Sequence, residues 1–326
     1  MRIATISHSH VAPRQQDFFR YIAGLGHQVL MLSPAVWGEY RVIPALVHYE
    51  NGGSFELVPL PCLGSGIYDY QLTRGYQHVD SFKPDWLYIQ AEPGSLQAML
   101  CQDYPSKKAI FTWENIQELV PESLRGYDLG IGGSREAVER LKRSAPDMPT
   151  LQCLQVGVDT DHFQVREGLL RAVPVGYAGR QDPAKGINVL KAAWPQAHIL
   201  PWASYRNLPW FLSELQVLVA YSLDTPNWKE QAPNYMALEA ISCGCKIVHS
   251  DTPAMHEGLE GCPAAVEAAG ANRDLEPGLR ILNLTKAIQE ALERKVDPEA
   301  ARLWVIERYG QAAVAKALIS KLEELS

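Results

Sequence analysis

The most informative segment of this chain is Val175–Val189, VGYAGRQDPAKGINV. Its apolar first half predicts a β-strand that ends at Gly179, and Lys185-Gly186 opens a segment with the pattern of a helix. Arg180 and Lys185 lie on the loop between them, and both cations and free helix-start amides favour negative charge. Because ligands bind at the carboxyl ends of parallel strands, the loop predicts a diphosphate site. The alternative is a solvated loop with two ordinary surface charges.

Short apolar strands alternate with amphipathic helices on both sides of this loop. The first series runs from Arg2–Ser7 to the helix Arg135–Arg143, and the second from Pro174–Ala178 to Lys246–His249. Such alternation favours a doubly wound parallel sheet. At about 100–200 residues per domain, two series in 326 residues predict an α/β chain with two Rossmann-like domains.

The polar stretch Gln164–Arg171 separates the two series and marks the expected domain boundary. We therefore predict an N-terminal domain over residues 1–165 and a C-terminal domain over residues 166–305. The tail Glu299–Leu325 has the pattern of one or two helices, with a glycine at Gly310.

Composition and charge exclude several classes of protein. The chain is 47% hydrophobic and 21% charged, and its formal net charge is −7. A protein that binds nucleic acid, or an anionic membrane by charge alone, usually has a basic excess, so there is no clear nucleic-acid signal. No signal peptide or apolar run of about 20 residues is found, and the six cysteines form no CxxC pair. These features indicate a cytoplasmic protein with reduced thiols and at most peripheral membrane contact.

A second informative segment is Thr225–Ser242, TPNWKEQAPNYMALEAIS. It carries Glu230 in a loop and Glu239 within an apolar helix. A carboxylate buried in such a helix needs hydrogen-bond donors, and sugar or ribose hydroxyls are suitable donors. A solvent-facing glutamate is the alternative for Glu239.

Several motifs together resemble family 4 glycosyltransferases, which are GT-B and mostly retaining enzymes. The glycine-flanked Arg180 and Lys185 resemble the family's phosphate loop, and the segment with Glu230 and Glu239 resembles its donor-binding loop and helix. The other matching segments, in chain order, are Leu25–Val29, Lys83–Asp85 with Glu92-Pro93, Tyr127–Arg140 and Val156–Phe163. Each motif alone is weak, but six in order cover most of the chain.

The resemblance implies two Rossmann-like domains that face each other across a cleft. The N-terminal domain would present the acceptor, the C-terminal domain would bind a nucleotide-diphosphate sugar, and the final helix, about residues 306–326, would pack back on the first domain. It further implies retention at the anomeric carbon, no essential metal and no cofactor. The acceptor is open between a glycan, a lipid-linked molecule and a small molecule. We place the nucleotide base near Trp202–Asn207.

Roles for individual residues also follow from the resemblance. Arg180 and Lys185 would hold the diphosphate and neutralise charge on the leaving group. Glu230 would bind the donor sugar and Glu239 the ribose. The remaining donor-side candidates are Gly179, Gln231 and Asn234, and the acceptor-side candidates are His8, Arg14, Glu92, Glu114 and Asn115.

Three departures from the family pattern bear on these roles. Glu230 and Glu239 are separated by eight residues instead of seven, so that Gln231 keeps the strict spacing. We prefer Glu230, because a loop absorbs an insertion easily. The segment His8–Arg14 lacks the family's glycine pair, for which Arg14 is a candidate compensation. Thr112–Asn115 replaces the family's His-Asp.

Two sequence patterns suggest other functions. Asp159-Thr160-Asp161 matches the DxD of metal-dependent transferases, but its position fits a linker. Gly130–Gly133 resembles a dinucleotide loop without the full glycine spacing. The rival functions are therefore a non-catalytic nucleotide-sugar-binding homologue and an NAD-dependent oxidoreductase.

Overall fold

The computed structural model divides into two compact units. It describes residues 1–113, 118–166, 168–200, 204–225, 228–230, 232–271 and 275–326. The first unit contains Met1–Gly157 and Val314–Ser326, and the second contains Val158–Ala313.

Within the described residues, the first unit is built on a sheet of eight strands. The strands of the unit are β1 (Arg2–Ile6), β2 (Gln28–Pro34), β3 (Val36–Trp37), β4 (Tyr40–Arg41), β5 (Ala45–His48), β6 (Ser54–Leu60), β7 (Cys62–Leu63), β8 (Gln71–Leu72), β9 (Trp86–Gln90), β10 (Lys107–Thr112), β11 (Leu129–Gly132) and β12 (Thr150–Gln152). Of these, β3 pairs with β4 and β7 with β8 in two separate two-stranded sheets. Its helices are α1 (Pro13–Gly24), α2 (Gly75–Phe82), α3 (Leu96–Cys101) and α4 (Arg135–Ser144). The sheet order is β12-β11-β10-β9-β1-β2-β6-β5, and every pair is parallel except β5 with β6.

The central strands of this sheet are buried on both faces, which explains their continuous apolar runs. Successive side chains of β1 point to opposite faces. Ile6 belongs to one core cluster with Leu32 and Ile89. On α1, Phe19 is fully buried, with its ring 6.3 Å from that of Tyr88.

The second unit contains a five-stranded parallel sheet of order β14-β13-β15-β16-β17. Its strands are β13 (Val173–Ala178), β14 (His198–Leu200), β15 (Leu215–Ala220), β16 (Lys246–Ser250) and β17 (Ala265–Ala268). Its helices are α5 (Ile187–Ala193), α6 (Leu208–Glu214), α7 (Tyr235–Ser242), α8 (Pro253–Leu259), α9 (Pro277–Glu293) and α10 (Pro298–Tyr309). The loops after β13 and β15 carry most of the predicted donor-side residues.

The division between the units, at 157/158, differs from the predicted boundary at 165/166. The reason is a backbone pairing between distant residues, which the local sequence does not predict. Val158 donates to the carbonyl of Tyr309 at 2.7 Å and accepts from the amide of Gln311 at 3.0 Å. Residues after Gly157 are thereby bonded to the end of α10, in the second unit.

The last helix, α11 (Gln311–Glu324), supplies the first unit with its C-terminal segment from Val314 onward. That start is later than the predicted 306, because α10 belongs to the second unit. The indole of Trp86 donates to the Ser326 hydroxyl at 3.0 Å, and the Lys107 ammonium donates to the Ser326 carbonyl at 2.6 Å. The chain end is therefore fastened to the starts of β9 and β10.

The prediction of an α/β chain with parallel sheets is confirmed. The dinucleotide-like glycines serve packing instead. A Cβ on Gly130 would lie 2.6 Å from the Met148 methyl, and one on Gly132 would lie 2.9 Å from the Val138 amide. The DxD segment forms a turn, in which the Asp159 carboxylate accepts from the amides of Asp161 and His162 at 3.1 and 3.0 Å. In the described part of the chain, no helix has the length and apolar character to cross a bilayer.

Candidate functional site

The loop after β13 has the form that its glycines require. Gly179 has φ +146° and Gly186 has φ +64°, both in the region that favours glycine. A Cβ on Gly186 would lie 2.4 Å from the Tyr221 carbonyl oxygen. Between the glycines, Asp182 caps a one-turn 3-10 helix, Pro183–Lys185, by accepting from the Ala184 amide at 2.9 Å. Lys185 therefore stands at the end of a tight, fixed turn just before α5.

Lys185 forms a largely buried ion pair with Glu230, 45 residues further along the chain. The ammonium nitrogen lies 2.5 and 2.9 Å from the two carboxylate oxygens. The side chain of Lys185 is 16% exposed and that of Glu230 is 7% exposed. The Ser222 hydroxyl and the Asn234 amide donate longer bonds to the same carboxylate, at 3.4 and 3.5 Å. Four polar side chains from two loops thus meet at one point.

The indole of Trp228 lies beside both predicted phosphate-binding cations. The Lys185 ammonium is 4.5 Å and the Arg180 guanidinium 5.1 Å from the ring centroid. The Trp228 backbone is fixed by reciprocal bonds with Thr225, at 2.9 and 3.3 Å. Arg180 itself is exposed, while its carbonyl accepts a 2.5 Å bond from the Tyr177 hydroxyl. Burial raises the pKa of Tyr177 to about 12, so this hydroxyl remains a donor at neutral pH.

Helix α7 holds the remaining described donor-side candidates. Asn234 caps it, accepting from the Met236 amide at 2.9 Å, and also contacts Glu230. Glu239 lies on the same helix and is fully buried, so the solvent-facing alternative is wrong. Gln231 lies outside the described residues.

The loop expected to hold the nucleotide base is only partly described, because residues 201–203 lie outside the described ranges. Tyr205 stacks on His162 with ring centroids 4.9 Å apart and an angle of 24°. The His162 ring nitrogen Nε2 also lies 3.0 Å from the Tyr205 carbonyl oxygen. One face of the Tyr205 ring is therefore covered by His162.

In the first unit, His8 follows β1 and lies among aromatic side chains. Its ring centroid is 5.0 Å from Trp37, 5.1 Å from Tyr70 and 6.3 Å from Trp113. Burial lowers the pKa of His8 to about 4, so the imidazole is neutral at pH 7. Sequence reasoning missed this cluster, because its members come from four separate segments.

The remaining acceptor-side candidates have different surroundings. The carboxylate of Glu92 is buried and accepts from the Thr112 hydroxyl and the Trp113 amide, both at 2.9 Å. These bonds fix the end of β10. Arg14 lies half-buried in the first turn of α1. Glu114 and Asn115 lie outside the described residues.

Comparison with known proteins gives a clear result at the level of structure. No protein-family model matches the chain, and no curated protein matches it in sequence. The chain superposes over its full length on a sucrose-phosphate synthase from Thermosynechococcus elongatus, with a TM-score of 0.72 and 15% identity, covering 100% of this chain and 99% of that one. The fold is that of GT-B glycosyltransferases.

Two further GT-B neighbours carry nucleotide ligands. Anabaena HepE, in complex with UDP and glucose, has a TM-score of 0.67 and 12% identity, covering 99% of this chain and 100% of that one. A trehalose-6-phosphate synthase from E. coli, bound with UDP-2-fluoro glucose, has a TM-score of 0.64 and 14% identity, covering 99% of each chain. At these identities the likeness establishes the GT-B fold.

Proposed function

We propose that this chain is a glycosyltransferase that moves a hexosyl group from a UDP-sugar to an acceptor hydroxyl. The observation that carries the proposal is the cluster of Arg180, Lys185, Trp228 and Glu230 beyond the carboxyl ends of β13 and β15. It places two cations and one carboxylate where parallel α/β sheets bind ligands. The GT-B neighbours with UDP and UDP-2-fluoro glucose suggest uridine as the base.

In the proposed reaction the bond between the anomeric carbon and the diphosphate breaks, and UDP leaves with the electron pair. Arg180 and Lys185 neutralise the charge that develops on UDP, which is the largest stabilisation available to such a transfer. The acceptor oxygen bonds to the anomeric carbon, and its proton passes to a phosphate oxygen of the departing UDP. Glu239 binds the ribose hydroxyls. We further propose retention of configuration and a reaction that needs no metal.

Glu230 has two successive partners in this scheme. Its carboxylate is bonded to Lys185 in the structure. When the diphosphate takes Lys185, the buried carboxylate loses its charged partner, and the hydroxyls of the donor sugar supply charge-assisted bonds in its place. The intact nucleotide sugar therefore supplies new partners to both groups, whereas UDP alone supplies one to the cation.

The test is a thermal-shift screen of UDP, UDP-glucose and the corresponding GDP and ADP compounds, followed by assay of UDP release with a panel of sugar acceptors in EDTA. A ligand at 100 times its Kd stabilises the folded state by about 2.7 kcal/mol. We expect a rise in Tm with UDP-glucose and turnover that persists in EDTA. If none of the nucleotide sugars raises the Tm, the proposed function is refuted. Binding without turnover would favour the non-catalytic homologue, and loss of turnover that manganese restores would refute metal independence.

A further inference from the structure

Trp228 brings two like charges to one place. The centroid of its ring is 4.5 Å from the Lys185 ammonium and 5.1 Å from the Arg180 guanidinium. Two cations near one another repel, yet the negative face of an indole attracts each of them, and tryptophan does so better than tyrosine or phenylalanine. Glu230 neutralises Lys185 directly. Among the described residues, Trp228 is a group that contacts both cations.

The two cations differ in how firmly other contacts hold them. Lys185 ends a capped turn and is bonded to a buried carboxylate. Arg180 is exposed, and an exposed arginine side chain loses rotamer freedom when it is fixed. An aromatic face that already restricts the guanidinium reduces the conformational entropy that this side chain loses when a diphosphate binds.

We propose that Trp228 is a positioning residue that holds Arg180 and Lys185 together for the donor diphosphate. This inference rests on the proposed function. It assigns to Trp228 a contribution to diphosphate affinity that acts through the two cations, with no bond to the nucleotide base.

The structure provides a suitable set of variants. The bonds that fix residue 228 to Thr225 are backbone bonds, and Trp228 is only half-buried, so we expect Trp228→Leu to leave the turn intact. Trp228→Phe keeps an aromatic face with a weaker field. Trp210→Leu is the matched control, because the exposed indole of Trp210 lies 3.7 Å from the Arg166 guanidinium in the same unit.

Calorimetric titration with UDP and with uridine tests the inference. We expect Trp228→Leu to weaken UDP binding about 5- to 20-fold, with Trp228→Phe intermediate and Trp210→Leu within twofold of the unmodified protein. Uridine binding should not change, since it lacks the diphosphate. In an Arg180→Met background, the effect of Trp228→Leu on UDP should shrink, because contacting residues are not additive. With UDP-glucose as substrate, the loss should appear in KM more than in kcat.

Three outcomes would overturn the inference. If Trp228→Leu binds UDP with unchanged affinity, the inference about Trp228 is refuted while the proposed function stands. Equal losses for UDP and uridine would show that the indole contacts the base or supports the whole site. Failure of the unmodified protein to bind UDP would remove the proposed function and this inference together.

Discussion

Breaking the ion pair between Lys185 and Glu230 should produce an asymmetric loss of stability. In Lys185→Met the carboxylate of Glu230, 7% exposed, loses its bonds of 2.5 and 2.9 Å. Bonds from Ser222 and Asn234, at 3.4 and 3.5 Å, are among those that the carboxylate keeps. Removing one member of a buried ion pair typically costs about 3–5 kcal/mol, and the bonds that the carboxylate keeps place this variant at the lower end, about 3 kcal/mol.

The reverse substitution should be milder. In Glu230→Gln the ammonium of Lys185 is 16% exposed and lies against the Trp228 ring, so it can turn toward water. We expect a loss of about 1 kcal/mol. The double variant, Lys185→Met with Glu230→Gln, removes both charges and should be within about 1 kcal/mol of the unmodified protein.

Calorimetric unfolding measures these differences without any ligand. For a unit of this size, about 3 kcal/mol corresponds to a fall in Tm of about 6–12 °C. The control is Glu290→Gln, which removes an exposed pair with Arg294 and should have little effect on Tm. Equal losses in the two single variants, and additive losses in the double variant, would refute a coupled buried pair.

Two further predictions concern catalysis and pH. Glu230→Gln should reduce turnover far more than Gln231→Ala, since a carboxylate binds sugar hydroxyls more strongly than an amide does; the reverse order in UDP release would assign the role to Gln231. The second concerns His10, whose ring contacts the Leu32 carbonyl and the Gln90 side chain at 2.8 and 3.1 Å, and whose pKa burial lowers to about 4. Between pH 6.5 and 4 the unfolded chain takes up a proton there that the folded chain does not, so stability falls on acidification by about 1.4 kcal/mol per pH unit. Urea unfolding measures the free energy of unfolding across this pH range. In His10→Asn the slope of that free energy against pH should be smaller by the equivalent of about one bound proton. An unchanged slope would contradict a buried, neutral His10 imidazole.

The strand, loop and helix around Arg180 could be predicted because the signals are local. An apolar run predicts a buried strand, and the glycines that flank the loop adopt positive φ at Gly179 and Gly186. The parallel sheets follow from the alternation of such segments.

Contacts between distant residues could not be predicted in the same way. Nothing near Lys185 indicates that its partner is Glu230, and nothing in the linker indicates the pairing of Val158 with the end of α10. Both depend on how loops meet after the sheet has formed. The role of Glu92 in fixing Trp113 has the same origin, because the two segments become neighbours only when β9 pairs with β10.

The spacing between the two glutamates illustrates how local and distant constraints combine. Helix α7 begins at Tyr235, where the Asn234 cap accepts from the Met236 amide, so its start is fixed by a specific bond. Pro233, just before the cap, packs so closely on α8 that a Cβ on Gly258 would lie 2.3 Å from its ring. A shift of the helix by one residue would break the cap and this contact together. These two contacts support the prediction that the Gln231–Pro233 loop, and not the helix, takes up the residue that makes the spacing eight instead of seven.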